Sequence, residues 1–181
     1  MDEAGRGPLA GPVVASAVIL RTHSFTVPID DSKRLTPEAR ERSFQEIRRF
    51  SDIGVGLAYP EEIDHLGVHA ACHLAMVRAV RRLPTLPAFV LVDGPWVPPG
   101  CPVPVVPIVG GDAKSLSIAC ASIVAKVVRD RMMRTLHRLL PEYGFHRHKG
   151  YGTPEHFKVL RDIGPSLIHR FSFRPIRQES L

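Results

Sequence analysis

Asp2 and Glu3 stand side by side near the start of the chain and are followed at once by Gly5-Arg6-Gly7. Paired carboxylates offer the oxygen ligands that a hard divalent cation takes. An arginine between two glycines can approach a phosphodiester closely, because glycine lets backbone N–H groups reach the same strand while the guanidinium pairs with the phosphate. The same residues also read as a solvated chain end. Two further acids keep them company. Asp93 closes the apolar run at 88–92, where an α/β sheet tends to place ligand-binding groups, although an Asx turn with Gly94-Pro95 would use it equally well. Asp112 heads a long helical pattern after Gly110-Gly111 and reads either as a ligand or as a helix N-cap. Four acids at element ends suffice to hold two Mg²⁺ or Mn²⁺ ions about 3.5–4 Å apart, the arrangement used for in-line phosphodiester hydrolysis.

The elements that must position these acids alternate between strand and helix. Residues 12–20 (PVVASAVIL) form a buried strand by their run of β-branched and small apolar side chains. Thr36-Pro37-Glu38 starts a helix that runs to Phe50, with Phe44, Ile47 and Phe50 on one face. A strand over 52–59, a short helix opening at Pro60 and broken near Gly67, and a helix over 68–83 follow, the last ending in Arg78, Arg81 and Arg82. The continuous apolar run at 88–92 predicts a strand covered on both faces. A Pro-rich irregular loop then leads to a strand at 105–109. The helix expected over 113–140 is apolar nearly all round at first and basic later, followed by a Gly- and His-rich loop over 143–153 and a helix over 154–163. This pattern predicts one α/β domain spanning 1–181, with a central mixed sheet flanked by helices and a helical, basic C-terminal part from about 113.

Charge sharpens the reading. Residues 1–112 hold 11 Lys/Arg against 13 Asp/Glu, whereas 113–181 hold 13 against 5. A basic C-terminal third facing an acid-containing front half suits a polyanion held over a metal site, and a solvated basic surface would show the same counts. No apolar run approaches the roughly 20 residues that span a bilayer, and no secretory signal is evident, so the cytoplasm is the default expectation. No membrane partner is expected, and the chain is taken as a monomer although the sequence is silent on oligomeric state. Cys72, Cys101 and Cys120 are far apart and odd in number, which predicts reduced thiols, two of them buried in helices. His146 and His148 lack further ligands nearby, and Gly67 interrupts the face that His65, His69 and His73 would share, so neither group predicts a zinc site.

Several blocks carry a resemblance: DEAGRGPLAGPVVASAVIL, DDSKRLTPEARE, VDG at 92–94, GGDAKSLSIACASIVAKVVRDRMM, HKGYGTPEH and HRFSF. In collinear order, from Asp2 to about Pro175, they are similar to the blocks of bacterial ribonuclease HII. The resemblance implies an RNase H-like α/β fold and cleavage of RNA in RNA–DNA hybrids, including single ribonucleotides embedded in duplex DNA. It carries the family's acidic quartet onto Asp2, Glu3, Asp93 and Asp112, with Mn²⁺ or Mg²⁺ as the implied cofactor. Its glycine–arginine–glycine motif, which reads the ribose 2′-OH, falls on Gly5, Arg6 and Gly7, in keeping with the use of that hydroxyl to tell RNA from DNA. Tyr151 would stack on the neighbouring deoxyribose. Lys33, Lys114, Ser115, Lys126, Arg129 and Lys149 are candidate phosphate or supporting contacts, each of which could also be a solvated surface group.

The chain departs from the family pattern at two places. Only Met1 precedes the Asp-Glu pair, where relatives carry several apolar residues. Either the true start lies upstream and Met1 is an internal residue of that strand, or the sheet lacks part of its first strand. The second predicts carboxylates with reduced positional order, and misplacement of about 1 Å can cost roughly 10²-fold in rate. Gly67 stands where the family usually has asparagine. After Pro175 no clamp-binding peptide is recognisable. The alternative to an endoribonuclease is therefore a non-catalytic hybrid-binding protein of the same fold, disabled by a shortened first strand.

Overall fold

The computed structural model describes residues 1–179, with side chains through residue 176, so most of the tail after Pro175 lies outside the described side chains. The run read as a buried strand forms β2 (Val13–Leu20), which pairs antiparallel on both sides, with β1 (Asp2–Ala4) and with β3 (Ser51–Ala58). The register sets Asp2 opposite Ser16 and Glu3 opposite Ala15. A second ladder joins β4 (Val90–Asp93) in parallel to β5 (Val105–Ile108). Met1 links the two ladders. Its nitrogen donates to the Leu91 carbonyl at 2.7 Å, and its carbonyl accepts from Asp93 N–H at 3.0 Å. Bonds to residues on either side of Val92 are the parallel pattern, so the strands run in the order β3-β2-β1-β4-β5 and make one mixed sheet.

Helices cover both faces. α1 (Pro37–Phe50) starts as its sequence predicts, with Thr36 Oγ1 accepting from Ala39 N–H at 3.2 Å. α2 (Pro60–Leu66) and α3 (Val68–Arg81) are separated only by Gly67, whose φ of 79° and ψ of 151° suit glycine. α3 lies directly on β3. Gly54 and Gly56 point to the same face, and a Cβ on either would collide with a backbone carbonyl, of Ala79 or of Ala75. The other face is closed by α4 (Leu116–Leu139), whose Ile123, Val124 and Val127 pack with Phe44 and Ile47 of α1. Ser16 Oγ donates to the Ala121 carbonyl at 2.7 Å, tying the middle of β2 to this helix. Cys72 and Cys120 are buried in α3 and α4, and burial pushes both thiols up to about 12. Among the described residues no helix is long and apolar enough to cross a membrane.

The segment read as a loop over 143–153 contains a short helix, α5 (Phe145–His148), capped at both ends by left-handed residues, Gly144 and Lys149. One turn cannot show a helical period, so the sequence concealed it. α6 (Pro154–Ile163) and α7 (Arg174–Glu179) complete the C-terminal part. Its core holds Met133, Tyr143, Phe145, Leu160 and Ile176 around three buried histidines. Their bonding fixes their tautomers. The Tyr151 carbonyl accepts from His156 Nδ1 at 2.9 Å, leaving His156 Nε2 to accept from His169 Nε2 at 3.0 Å. His169 Nδ1 in turn accepts from Ser166 N–H at 2.9 Å. His148 donates from Nε2 to the Tyr143 carbonyl at 2.8 Å and accepts from Gly150 N–H at Nδ1.

Burial holds His148 and His169 down at about 4, with the charge of His156 adding to the shift in each. The unfolded chain takes these protons near pH 6.5, so their contribution to stability is full above that value and is lost as pH falls toward about 4. Asp2, described below, runs the opposite way, so ring titration is the cleaner observable. Histidine-ring NMR is expected to show His156 protonated at Nδ1 and His169 at Nε2, with His148 and His169 titrating well below pH 6. Titration of these two rings near 6.5 would contradict the network.

Candidate active site

β1 and β4 deliver their acids to one place. Because Met1 pairs with Leu91 and Asp93, the next residues of β1, Asp2 and Glu3, emerge beside the end of β4, where Asp93 sits. The three line a cavity of about 340 Å³ together with Gly5, Arg6, Gly7, Ser32, Lys33, Ser122, Lys126, Arg129 and Tyr151. Asp2 is buried, with Oδ1 accepting from Glu3 N–H at 2.7 Å. Burial pushes its carboxyl up to about 7, the neighbouring Glu3 charge adds to the rise, and the Ser122 hydroxyl offsets part of it. Glu3 is also raised by burial, with Arg6 pulling it back and Asp93 pushing further. Arg6 Nη1 lies 3.5 Å from Glu3 Oε1 and is half exposed, so it only partly neutralises the cluster. Asp93 Oδ1 accepts from Gly111 N–H at 2.7 Å, which brings the turn carrying Asp112 against β4.

The donor set suits a hard divalent cation: clustered carboxylate oxygens, partly buried, with Arg6 alone among the described residues forming an ion pair to one of them. The acids are close without converging on a preformed centre. Among the described residues, no three His, Cys, Asp or Glu side chains meet in an arrangement that could hold a metal ion. Asp112 is in the 3₁₀ turn Gly111–Ala113, and its side chain does not line the cavity. Three acids of the expected quartet therefore share the site, and the fourth stands one residue beyond the contact at Gly111.

The Gly5-Arg6-Gly7 turn is shaped from behind by two buried arginines. Gly5 has a φ of 96°, and a Cβ there would strike the Arg129 side chain. Arg129 donates from Nε to the Pro12 carbonyl at 3.0 Å and from Nη2 to that of Ala10 at 3.2 Å. Arg170 is fully buried and bonds the carbonyls of Gly5 at 2.6 Å, Arg6 at 2.8 Å and Gly11 at 2.8 Å. Burial brings the Arg170 guanidinium down to about 9, and the charge of Arg129 adds to the fall. These carbonyls stand in for a carboxylate partner. On the outer side of the turn, a Cβ on Gly7 would be 3.8 Å from the Tyr151 ring.

Other expected contacts lie elsewhere. Lys114 Nζ donates to the Val109 carbonyl at 2.6 Å, and Ser115 Oγ is 3.1 Å from Ser117 Oγ. Lys149 Nζ folds onto the carbonyls of His146 and Arg147. All three are engaged locally and outside the cavity, whereas Lys33, Lys126 and Arg129 line it. Sequence reading missed Ser32 and Ser122, whose hydroxyls are 3.0 Å apart beneath Asp2, and Arg170. Arg170 was visible only as part of the HRFSF block, because its burial cannot be read from its charge.

The family model for ribonuclease HII matches residues 1–176. The chain belongs to the ribonuclease HII family. It is 51% identical over 179 residues to the ribonuclease HII of Geobacillus kaustophilus, covering 98% of this chain and 68% of that one. The ribonuclease HII of Parvibaculum lavamentivorans is 50% identical, with 98% and 66% covered, so the chain spans about two thirds of the length of these relatives. That of Chlamydia trachomatis serovar A is 48% identical, with 98% and 82% covered. Among solved structures, the ribonuclease H2 of Pyrococcus horikoshii superposes with a TM-score of 0.79 at 30% identity, over 98% of this chain and 94% of that chain. The ribonuclease HII from Archaeoglobus fulgidus, solved as a complex with PCNA, gives a TM-score of 0.81 at 26% identity, over 99% and 95%. Membership in this family of nucleases agrees with an acid-lined cavity flanked by cationic side chains.

In this chain, Arg170→Met keeps the bulk but strips the donors from three buried carbonyls. A loss of about 3 kcal/mol or more in unfolding free energy is expected by urea denaturation. Arg170→Lys is expected to recover only part of it, since an ammonium lacks the planar fork. A change within about 0.5 kcal/mol for the Met variant, the range of an ordinary surface substitution, would show that the guanidinium does not hold the turn.

Proposed function

We propose that this chain is an endoribonuclease that hydrolyses the RNA strand of RNA–DNA hybrids and cuts on the 5′ side of single ribonucleotides embedded in duplex DNA. The observation that carries this reading is the gathering of Asp2, Glu3 and Asp93 in one cavity beside Gly5-Arg6-Gly7. Asp2, Glu3 and Asp93 would hold divalent ions, with Asp112 joining from the adjacent turn. Bound Mg²⁺ or Mn²⁺ supplies Lewis acidity at the phosphate and a water of lowered pKa.

The remaining residues place the substrate. The backbone of Gly5 and Gly7, open to close approach, meets the ribose 2′-OH, and Arg6 pairs with the adjoining phosphate. Tyr151, against Gly7, stacks on the next sugar and so detects an RNA-to-DNA junction. Lys33 and Lys126 neutralise backbone charge at the cavity, and Lys114, Ser115 and Lys149 meet phosphates further along the duplex. The protein acts as a cytoplasmic monomer. The Mn²⁺-bound structure of a ribonuclease HIII, a likeness in fold at 19% identity and a TM-score of 0.75, comes from a protein that takes such an ion.

The test is cleavage of duplex DNA carrying one ribonucleotide, with Mg²⁺ or Mn²⁺ and an EDTA control. Incision 5′ to the ribonucleotide, absent with EDTA, is the expected result. Asp93→Asn is expected to lower cleavage by at least about 10²-fold, the scale on which a misplaced reacting group is felt, while duplex binding stays near that of the unsubstituted chain. Binding without any metal-dependent cut would favour the hybrid-binding protein instead.

A further inference from the structure

Trp96, the only tryptophan in the chain, is 60% exposed, an unusual placement for so large an apolar ring. It follows Asp93 by three residues, after a turn at Gly94 with a φ of 88°. Its indole packs edge-on against His69 of α3, with ring centroids 5.5 Å apart, and His69 packs against His73 one turn on, at 4.3 Å. The arrangement is therefore a continuous surface of three rings.

This surface lies beside the acid-lined cavity, because Trp96 stands three residues beyond Asp93, which lines it, and Cys72, next to His73 in α3, shares a core cluster with Met1 and Val92, the neighbours of Asp2 and Asp93. Exposed rings beside an acid-lined, cation-flanked cavity have the composition of a subsite for unpaired bases, in which rings take the bases and cations take the phosphates.

We propose that Trp96, supported edge-on by His69, which packs in turn on His73, is a stacking platform for an unpaired nucleobase of the substrate strand beside the acid-lined cavity. Trp96 is the face on which the base rests, and His69 is a positioning residue that keeps the indole from lying back on the protein. The proposal rests on the ribonuclease reading above and extends it by one substrate contact.

Because Trp96 is the sole tryptophan, its emission reports on the platform directly. The full chain is titrated in EDTA with duplex DNA carrying one ribonucleotide and a short single-stranded extension of the substrate strand, binding being followed independently by anisotropy of a dye at the far end of the DNA. Trp96 emission is expected to quench along the same binding curve, and an abasic site stepped along the strand is expected to relieve the quench at one position. Base–aromatic stacking has a size that predicts a rise of about fivefold or more in Kd for Trp96→Ala, largely restored by Trp96→Phe, with His69→Ala intermediate. Bound duplex with unchanged Trp96 emission and wild-type affinity for Trp96→Ala would overturn the platform while leaving the ribonuclease reading intact. Absence of duplex binding by the unsubstituted chain would overturn both.

Discussion

The backbone pairing of Met1 with β4 is the constraint on which the site depends. Two hydrogen bonds, to the carbonyl of Leu91 and from the N–H of Asp93, join an antiparallel ladder to a parallel one and set β1 beside β4. The consequence is electrostatic. Asp2 and Glu3 are forced into the neighbourhood of Asp93, partly out of water, and burial together with the neighbouring acid charges raises both carboxyls. Folding energy from the sheet and its apolar cover offsets that repulsion, and the repulsion is relieved by a divalent cation. Met1 is itself buried, and the carboxylates begin one residue after its pairing with β4.

A second frame stands behind the substrate-facing turn. Arg170 ties the carbonyls of Gly5, Arg6 and Gly11 together, and Arg129 does the same for Ala10 and Pro12. His169 precedes Arg170 in the chain and closes the relay through His156 to the Tyr151 carbonyl. The C-terminal part therefore positions both sides of the proposed ribose contact at once, the glycine–arginine–glycine turn through one side chain and the tyrosine through the next. Neutral, buried imidazoles suit this task because each offers one donor and one acceptor in a fixed order.

What the sequence disclosed follows from how local each signal was. Thr36-Pro37 marked a helix start because capping is decided within one turn, and the 12–20 run marked a strand because burial on both faces leaves a continuous apolar stretch. Gly110-Gly111-Asp112 was read as leading straight into the long helix. A 3₁₀ turn intervenes, and α4 starts only at Leu116. β1 is three residues long and carries the acids themselves, too short and too polar for a periodic signal. Grouping Asp2, Glu3 and Asp93 required only the expectation that acids sit at strand ends. The place of Asp112 outside the cavity lining, the inward turn of Arg170 and the local engagement of Lys114 and Lys149 depend on packing that no window of sequence contains.

The decisive observation is where Mn²⁺ binds. Crystals of this chain soaked in Mn²⁺ should give an anomalous difference peak in the cavity, within about 2.0–2.3 Å of carboxylate oxygens of Asp2, Glu3 or Asp93, with Asp112 turned toward it. A protein saturated with Mn²⁺ that shows no peak among these acids would contradict the reading of this cavity as a metal-dependent nuclease site.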